Sequence, residues 1–285
     1  VAVPSQLLLM LEHATRRRLA PMATVRLILI GGAPWTRTRT PALQQLFPQA
    51  RIIEFYGASE TSFIAWTDSD AALADSVVGR PFANVALRIV PARAESATDQ
   101  AAAHIPAPET AALPEAANQQ AGLVYVRSPM VFLDYVNVDP GQEASAAVRD
   151  GDWLSVRDVG YLDQDGLLHL LGRQQRMLLA QGKNLFPEEI ETMLSAHPAI
   201  EAACVIGVPD ALRGVRIVAL LKLRAAVASA DLTAWCAARL QHYKIPRRFF
   251  VATAWPRTAA GKTDHRQLAT LFADWSPGQP GIAVL

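Results

Sequence analysis

The stretch that most narrows what this chain can fold into is V-R-L-I-L-I-G-G-A-P at residues 25–34. Its aliphatic run lacks polar alternation, so a strand here must be covered on both faces, and it runs into a Gly-Gly turn. A helical stretch at 4–19 precedes it, a short helix at 42–47 follows, and a second buried strand at 51–56 enters a loop at Gly57. Strand, helix, strand without alternation is the grammar of parallel α/β structure. From Val78 the grammar changes. Short strands at 85–90, 123–127, 161–162 and 167–170 are separated by Gly, Asp and Pro turns, and D-Q-D-G at 163–166 signals a hairpin. That stretch reads as a small antiparallel sheet or barrel.

A third region begins at Gly172. A helix at 187–197 opens with Pro and two acids, as helix N-termini prefer. Strands at 202–208 and 217–223, a helix at 231–240 capped by Asp231, and a strand at 248–252 complete a compact α+β unit. Residues 91–120, rich in Ala, Pro, Glu and Gln, carry almost no large apolar side chain and are expected to be a poorly ordered surface excursion.

With 285 residues, 51% of them hydrophobic, the chain suits two cored units. A net charge of +1 gives no support to nucleic acid or an anionic membrane as a partner. The longest apolar runs, 25–33 and 217–223, are strand-sized, and no membrane span or charged leader is read. Cys204 and Cys236 sit in apolar surroundings without metal-ligand spacing, which suggests buried thiols in a cytoplasmic protein. His13, His104, His169, His197, His242 and His265 suggest neither a metal site nor a Ser-His-Asp arrangement.

Six motifs then occur in order. They are G-G-A-P at 31–34, Y-G-A-S-E-T at 56–61, W-L-S-V-R-D-V-G at 153–160, G-R-Q-Q-R-M at 172–177 with F-P-E-E-I-E at 186–191, Y-K-I-P at 243–246, and P-R-T-A-A-G-K at 256–262. Any one is common punctuation; together they resemble the adenylate-forming, AMP-binding superfamily of acyl-CoA synthetases, adenylation domains and luciferases. The resemblance implies the later part of a large AMP-binding domain over 1–173, with parallel α/β strands and an antiparallel subdomain. A small mobile α+β domain over 174–285 would follow. It also implies ATP-dependent activation of a carboxylic acid to an acyl-adenylate, then thioester formation with coenzyme A, with Mg²⁺ as metal cofactor.

Site residues follow from the same resemblance, each with a physical reason. Joining a carboxylate to a phosphate crowds negative charge, so cations and fixed donors should dominate. Lys262, a point charge on a flexible stem, stands at the position of the family's adenylation lysine. Asp158, a two-oxygen acceptor, stands at that of the ribose-binding carboxylate. Glu60 would hold Mg²⁺ against the phosphates, Ser59 would donate to the α-phosphate, and Tyr56 would offer a flat face to adenine. Gly31, Gly32, Ala33 and Gly57 would let backbone approach the nucleotide, and Arg173 matches the arginine that contacts ribose or phosphate beside the interdomain hinge at Gln175.

Departures from the family pattern stand at Leu123, where Glu is preferred, Arg157, where Gly precedes the Asp, Gln175, where Asp or Lys is usual, Arg176, where an acid is common, and Lys183 within Q-G-K-N. The Ser/Thr/Gly-rich phosphate loop of the family has no counterpart here, so the chain is expected to be an incomplete fragment that does not turn over alone. Three functions are weighed: an acid–CoA ligase, favoured by the Pro in F-P-E-E-I-E; an adenylation domain loading a carrier protein's phosphopantetheine arm; and a non-catalytic relic of the fold. Retention of Lys262 and Asp158 weighs against the relic. The apolar segment 63–66 hints at an aliphatic or aromatic acyl group.

Overall fold

The computed structural model describes residues 1–91, 121–135, 147–180, 183–210, 214–258, 261–278 and 280–285. The expected excursion at 91–120 lies, beyond Pro91, outside the described residues, as does Gly182. The chain divides into two compact units, the first running to Gln175 and the second from Arg176.

The first unit opens with α1 (Pro4–Arg17), β1 (Leu27–Ile30), α2 (Thr40–Leu46) and β2 (Arg51–Ala58). Pro4 fits the first helical turn, where no intrahelical N–H partner is lost, and Arg18 closes the helix in the left-handed conformation. β1 and β2 pair in parallel, Leu27 opposite Arg51 through Ile30 opposite Glu54. Leu7, Ile28, Ile30, Trp35, Leu43, Phe47 and Ile52 form one core beneath them.

The antiparallel part follows as β3 (Ser62–Asp68), β4 (Val77–Pro81), β5 (Ala86–Val90), β6 (Gly122–Arg127), β7 (Val148–Asp150), β8 (Trp153–Ser155), β9 (Asp158–Leu162) and β10 (Leu168–Arg173). It is not a separate small sheet or barrel, as the sequence suggested. The described strands make one ten-stranded sheet, ordered β1-β2-β3-β4-β10-β9-β6-β8-β7 with β5 on β6. β3 and β4 bridge the two grammars: β3 turns back antiparallel on β2, and β4 pairs with both β3 and β10. β4 escaped the sequence reading because V-V-G-R-P carries the Gly and Pro that usually break strands. At Gly79 a Cβ would lie 2.0 Å from the Trp66 carbonyl oxygen, so only glycine allows that crossing. Ile64 and Ala65 are fully buried in the core with Val124, Val126 and Leu168, so the apolar character of 63–66 is in large part sheet packing.

The second unit contains β11 (Leu178–Ala180), β12 (Lys183–Leu185), α3 (Pro187–Ser195), β13 (Ile200–Asp210), β14 (Gly214–Leu223), α4 (Ser229–Ala237), β15 (Arg248–Ala252), α5 (His265–Ala273) and β16 (Ile282–Val284). Its main sheet runs β13-β14-β15-β16, with β14 and β15 parallel and β11-β12 a separate hairpin. β14 explains its own unbroken apolar run. Ala219 and Leu221 pack with α3 and α4, while Val218 and Leu220 pack on the opposite face with Leu268 of α5. Burial of both faces removes any need for alternation.

Two helix ends differ from expectation. α4 starts at Ser229 with Ala228 as its N-cap, so Asp231 lies inside the first turn and complements the helix dipole rather than capping it. α5, unread in the sequence, has a true cap: Asp264 Oδ1 accepts the Gln267 N–H at 2.9 Å. The D-x-x-Q spacing was the available signal. Cys204 and Cys236 are buried free thiols. Among the described residues no helix is long and apolar enough to cross a membrane.

Candidate active site

Tyr56, Asp158 and Arg173 come from β2, β9 and β10 and meet in the first unit. Tyr56 Oη donates to Asp158 Oδ2, and Arg173 Nε lies 3.3 Å from Asp158 Oδ1. The sheet makes this meeting: Arg173 and Asp158 are register partners across β9 and β10. Asp158 is 7% exposed. Burial pushes its carboxyl above the ordinary value, against the hydrogen bond from Tyr56 and the charge of Arg173. Burial first, then the Asp158 charge, holds the Tyr56 phenol well above its own ordinary range. A carboxylate offers about four acceptor positions. Tyr56 and Arg173 leave room on both oxygens for hydroxyl donors.

Arg157, where the family has Gly, takes the left-handed conformation that a glycine would adopt freely, at φ 63°. Three bonds hold it there: its N–H donates to Ser155 Oγ at 3.1 Å, its carbonyl accepts the Gln174 N–H at 2.9 Å, and its guanidinium donates to Gln174 Oε1 at 3.3 Å. The turn ahead of Asp158 thus keeps its shape without the glycine.

Ser59 and Glu60 sit in the tight turn between β2 and β3. Gly57 is obligatory there, since a Cβ would lie 2.1 Å from the Ser62 carbonyl oxygen. The turn is closed by Thr61, whose hydroxyl accepts the Ala58 N–H at 3.3 Å, and by Ser62 at φ 58°. Glu60 is near enough for its charge to act on Asp158. Its carboxylate accepts a hydrogen bond from Tyr135 Oη at 2.8 Å, a partner that the sequence reading missed. An oxygen-only donor in an open turn suits a hard divalent cation that keeps phosphates and water as its other ligands.

Gly31 follows β1, and a Cβ there would meet the Phe55 ring at 2.4 Å, so this glycine makes room for a β2 side chain. Gly32, at φ 82°, and Ala33 lie exposed beyond it. Leu123, the apolar departure, is 8% exposed within β6, where apolar packing accounts for it. Arg37, also missed, is 3% exposed; it donates to both oxygens of Glu54 at 2.8 and 3.0 Å and to the carbonyls of Ala74 and Val77. It pins the approach to β4 onto β2.

Lys262 lies in the second unit, exposed, in a loop whose neck is closed by the Thr258 N–H to the Lys262 carbonyl at 2.8 Å. Gly261 before it is left-handed at φ 77°. Among the described residues the Lys262 ammonium has no hydrogen-bond or ion-pair partner. Arg176, two residues before β11, instead makes a part-buried network: its guanidinium takes both oxygens of Glu191 at 3.0 and 2.5 Å and Glu188 at 3.1 Å. Glu191 also accepts the Val205 N–H at 2.7 Å.

Two constellations depart from what the histidines suggested. Glu191, Cys204 and His265 bring possible ligand atoms within 4.8 Å of one another. They do not fit a divalent ion. Arg176 already occupies both oxygens of Glu191, at 3.0 and 2.5 Å, and supplies the positive charge there. The second is a Ser-His-Asp line. Ser76 Oγ lies 3.0 Å from His169 Nδ1, and His169 Nε2 lies 2.9 Å from Asp163 Oδ2. Folding of the β9–β10 turn back on β10 creates it. Asp163 also accepts the turn N–H groups of Asp165 and Leu167, and the imidazole stacks on Tyr161 at 4.5 Å. This line clamps the turn end of the hairpin whose open end carries Asp158 and Arg173.

Comparison with known proteins agrees with this architecture. Residues 1–136 match the family model for AMP-binding enzymes, and residues 189–262 match that for the AMP-binding enzyme C-terminal domain. The protein named uncharacterized acyl–CoA ligase YhfT, from Bacillus subtilis, is 34% identical over 236 residues, which cover 82% of this chain and 43% of that protein. The structure of the amide bond synthetase McbA from Marinactinospora thermotolerans matches with a TM-score of 0.74 at 31% identity, over 95% of this chain and 51% of that one. O-succinylbenzoate coenzyme A synthetase from Bacillus subtilis, in complex with ATP and magnesium ion, matches with a TM-score of 0.70 at 29% identity, over 94% and 50%. The chain thus spans about half the length of these relatives.

Proposed function

This chain belongs to the AMP-binding enzyme family, and from that premise we propose that it serves ATP-dependent activation of a carboxylic acid, followed by thioester formation with coenzyme A. Residues 1–173 act as the later portion of the large AMP-binding domain, and residues 174–285 act as its small C-terminal domain. The observation that carries the reading is the convergence of Tyr56, Asp158 and Arg173, with the Glu60 turn beside them.

In the first half-reaction a carboxylate oxygen bonds to the α-phosphorus while the bond to pyrophosphate breaks. Asp158 takes the ribose hydroxyls on the acceptor positions that Tyr56 and Arg173 leave. Tyr56 gives adenine a flat face, and the backbone at Gly31, Gly32, Ala33 and Gly57 lines the base and phosphates. Ser59 donates to the α-phosphate, and Arg173 adds positive charge there. Mg²⁺ held by Glu60 would supply charge neutralisation to the phosphates. Lys262 bridges carboxylate and α-phosphate, where its lack of a partner among the described residues leaves the ammonium available. In the second half-reaction the thiol of coenzyme A attacks the acyl carbon and AMP leaves.

Two observations support coenzyme A as acceptor: the relatives named acyl–CoA ligases and the F-P-E-E-I-E sequence at 186–191. The likeness to an amide bond synthetase favours an amine as the second reading. The test is Lys262→Ala in the whole protein. Loss of a preorganised cation should cost ~3–4 kcal/mol, or about 10²–10³ in acid-dependent pyrophosphate exchange. Single-turnover thioester formation from a supplied acyl-adenylate should stay near normal, because the small domain is expected to rotate about Gln175 before that step. Equal loss in both assays would reduce Lys262 to a structural role. Discharge of the adenylate by an amine but not by coenzyme A would select the second reading.

A further inference from the structure

The segment after β6 touches the proposed cation site in a way that no sequence motif announced. Tyr135 Oη reaches Glu60 Oε1 at 2.8 Å, and the Phe132 N–H donates to the Glu60 backbone carbonyl at 2.8 Å. The segment itself is held from the far side. Arg149 donates to the carbonyl oxygens of Phe132 and Leu133, and its guanidinium lies 5.3 Å from the Phe132 ring centroid. Phe132 in turn meets Tyr135 edge-to-face at 4.7 Å. Side chain and main chain of Glu60 are therefore both tied to one short, braced segment. Among the described residues, Tyr135 is the hydrogen-bond partner of the carboxylate, and Glu60 Oε2 carries no further bond.

We propose that Tyr135 is a positioning residue for Glu60: its hydroxyl fixes one carboxylate oxygen and so leaves the other oriented for a divalent cation. The proposal rests on the reading of Glu60 as the cation ligand. A glutamate in an open turn has three rotatable bonds, and holding it in one rotamer before the cation arrives removes an ordering cost from binding. Partners of this outer kind typically change metal affinity by about 10–100-fold. A part-exposed phenol belongs at the low end.

The test uses Mn²⁺ as the probe, measured by electron paramagnetic resonance in the presence of ATP, on the whole protein. Tyr135→Phe keeps the ring contact with Phe132 and removes only the hydroxyl. It should weaken Mn²⁺ binding about tenfold, and raise the metal KM while kcat at saturating metal changes little. Glu60→Gln should lose more, and adding Tyr135→Phe to Glu60→Gln should change nothing further. If Glu60→Gln weakens Mn²⁺ but Tyr135→Phe does not, Tyr135 only braces the segment and the proposal fails alone. Additive losses would mean that the two act separately, and would also overturn it. If Glu60→Gln leaves Mn²⁺ affinity intact, the cation role of Glu60 falls, and the role of Tyr135 falls with it.

Discussion

The two units bury their apolar surface in similar fashion but use their charged side chains differently. In the second, the four-stranded sheet is covered on both faces, by α3 and α4 on one side and α5 on the other. Both units leave some large apolar side chains open to solvent: Leu9 at 65%, Met10 at 42%, Leu19 at 47% and Leu27 at 52% in the first, and Leu271 at 43% and Val284 at 58% in the second. Their buried charges differ. In the second unit Arg176 spends its guanidinium on both oxygens of Glu191 and on Glu188 Oε1. Asp158 in the first unit is held with acceptor capacity to spare, in surroundings that raise its pKa. A buried charge that spends its bonds on neighbours builds structure. One that keeps some back has acceptor positions for the ligand role proposed for Asp158.

The sharpest way to break this contrast is Arg176→Ala. Removing Arg176 leaves the buried Glu191 carboxylate uncompensated, and because the arginine is itself 21% exposed the loss should lie near the low end of ~3–5 kcal/mol. Urea unfolding followed through Trp235, within α4, should report it, while probes in the first unit stay put. If both units lose equally, the network is not private to the second.

Asp158→Asn tests the other side. On the proposed ribose-binding role, losing charge-assisted bonds at ~1.5–3 kcal/mol for each should weaken ATP binding at least about tenfold in the whole protein, as isothermal titration would measure; unchanged affinity would remove Asp158 from that role. Stability should move the other way with pH. Because the folded-state pKa of Asp158 is raised, its contribution is fully present below the ordinary value of 3.8 and is lost as pH rises through the raised one. Asn cannot ionise, so melting curves should show the variant gaining on the parent between acid and neutral pH. A gap independent of pH would mean that burial does not penalise this carboxylate.

The smallest effect is expected at Arg157→Gly. A non-glycine residue in the left-handed region costs roughly 1–2 kcal/mol, part of which is offset by the bond to Gln174. A net gain of up to about 1 kcal/mol in chemical denaturation would show that the strain outweighs the bond. A loss would show that the guanidinium matters more to this turn than the backbone does.

Much of the local structure was legible because it depends on neighbours in sequence. The D-Q-D-G turn, the Pro-led helix α3 and the unbroken strand β14 each follow from short patterns. The misses have one common cause. β4 is a strand because β3 and β10 flank it, despite its Gly and Pro. The clamp of Ser76, His169 and Asp163, the Arg37 pin on Glu54 and the Tyr135 bond to Glu60 join residues separated by as many as 93 positions. Nothing local distinguishes those residues from ordinary surface polar groups.

The sequence by itself determined the chemistry on offer: which acids, cations and glycines stand in which motifs, and which segments must be buried. Periodicity and side-chain type are properties of a chain before it folds. Tertiary structure decided which of those groups act together. The Asp158 carboxylate gains its raised pKa only because β9 lies inside the sheet, and meets Tyr56, 102 residues away, only because four strand pairings link β2 to β9. Desolvation and hydrogen-bond geometry are properties of a packed interior, so no reading of neighbours along the chain could have supplied them.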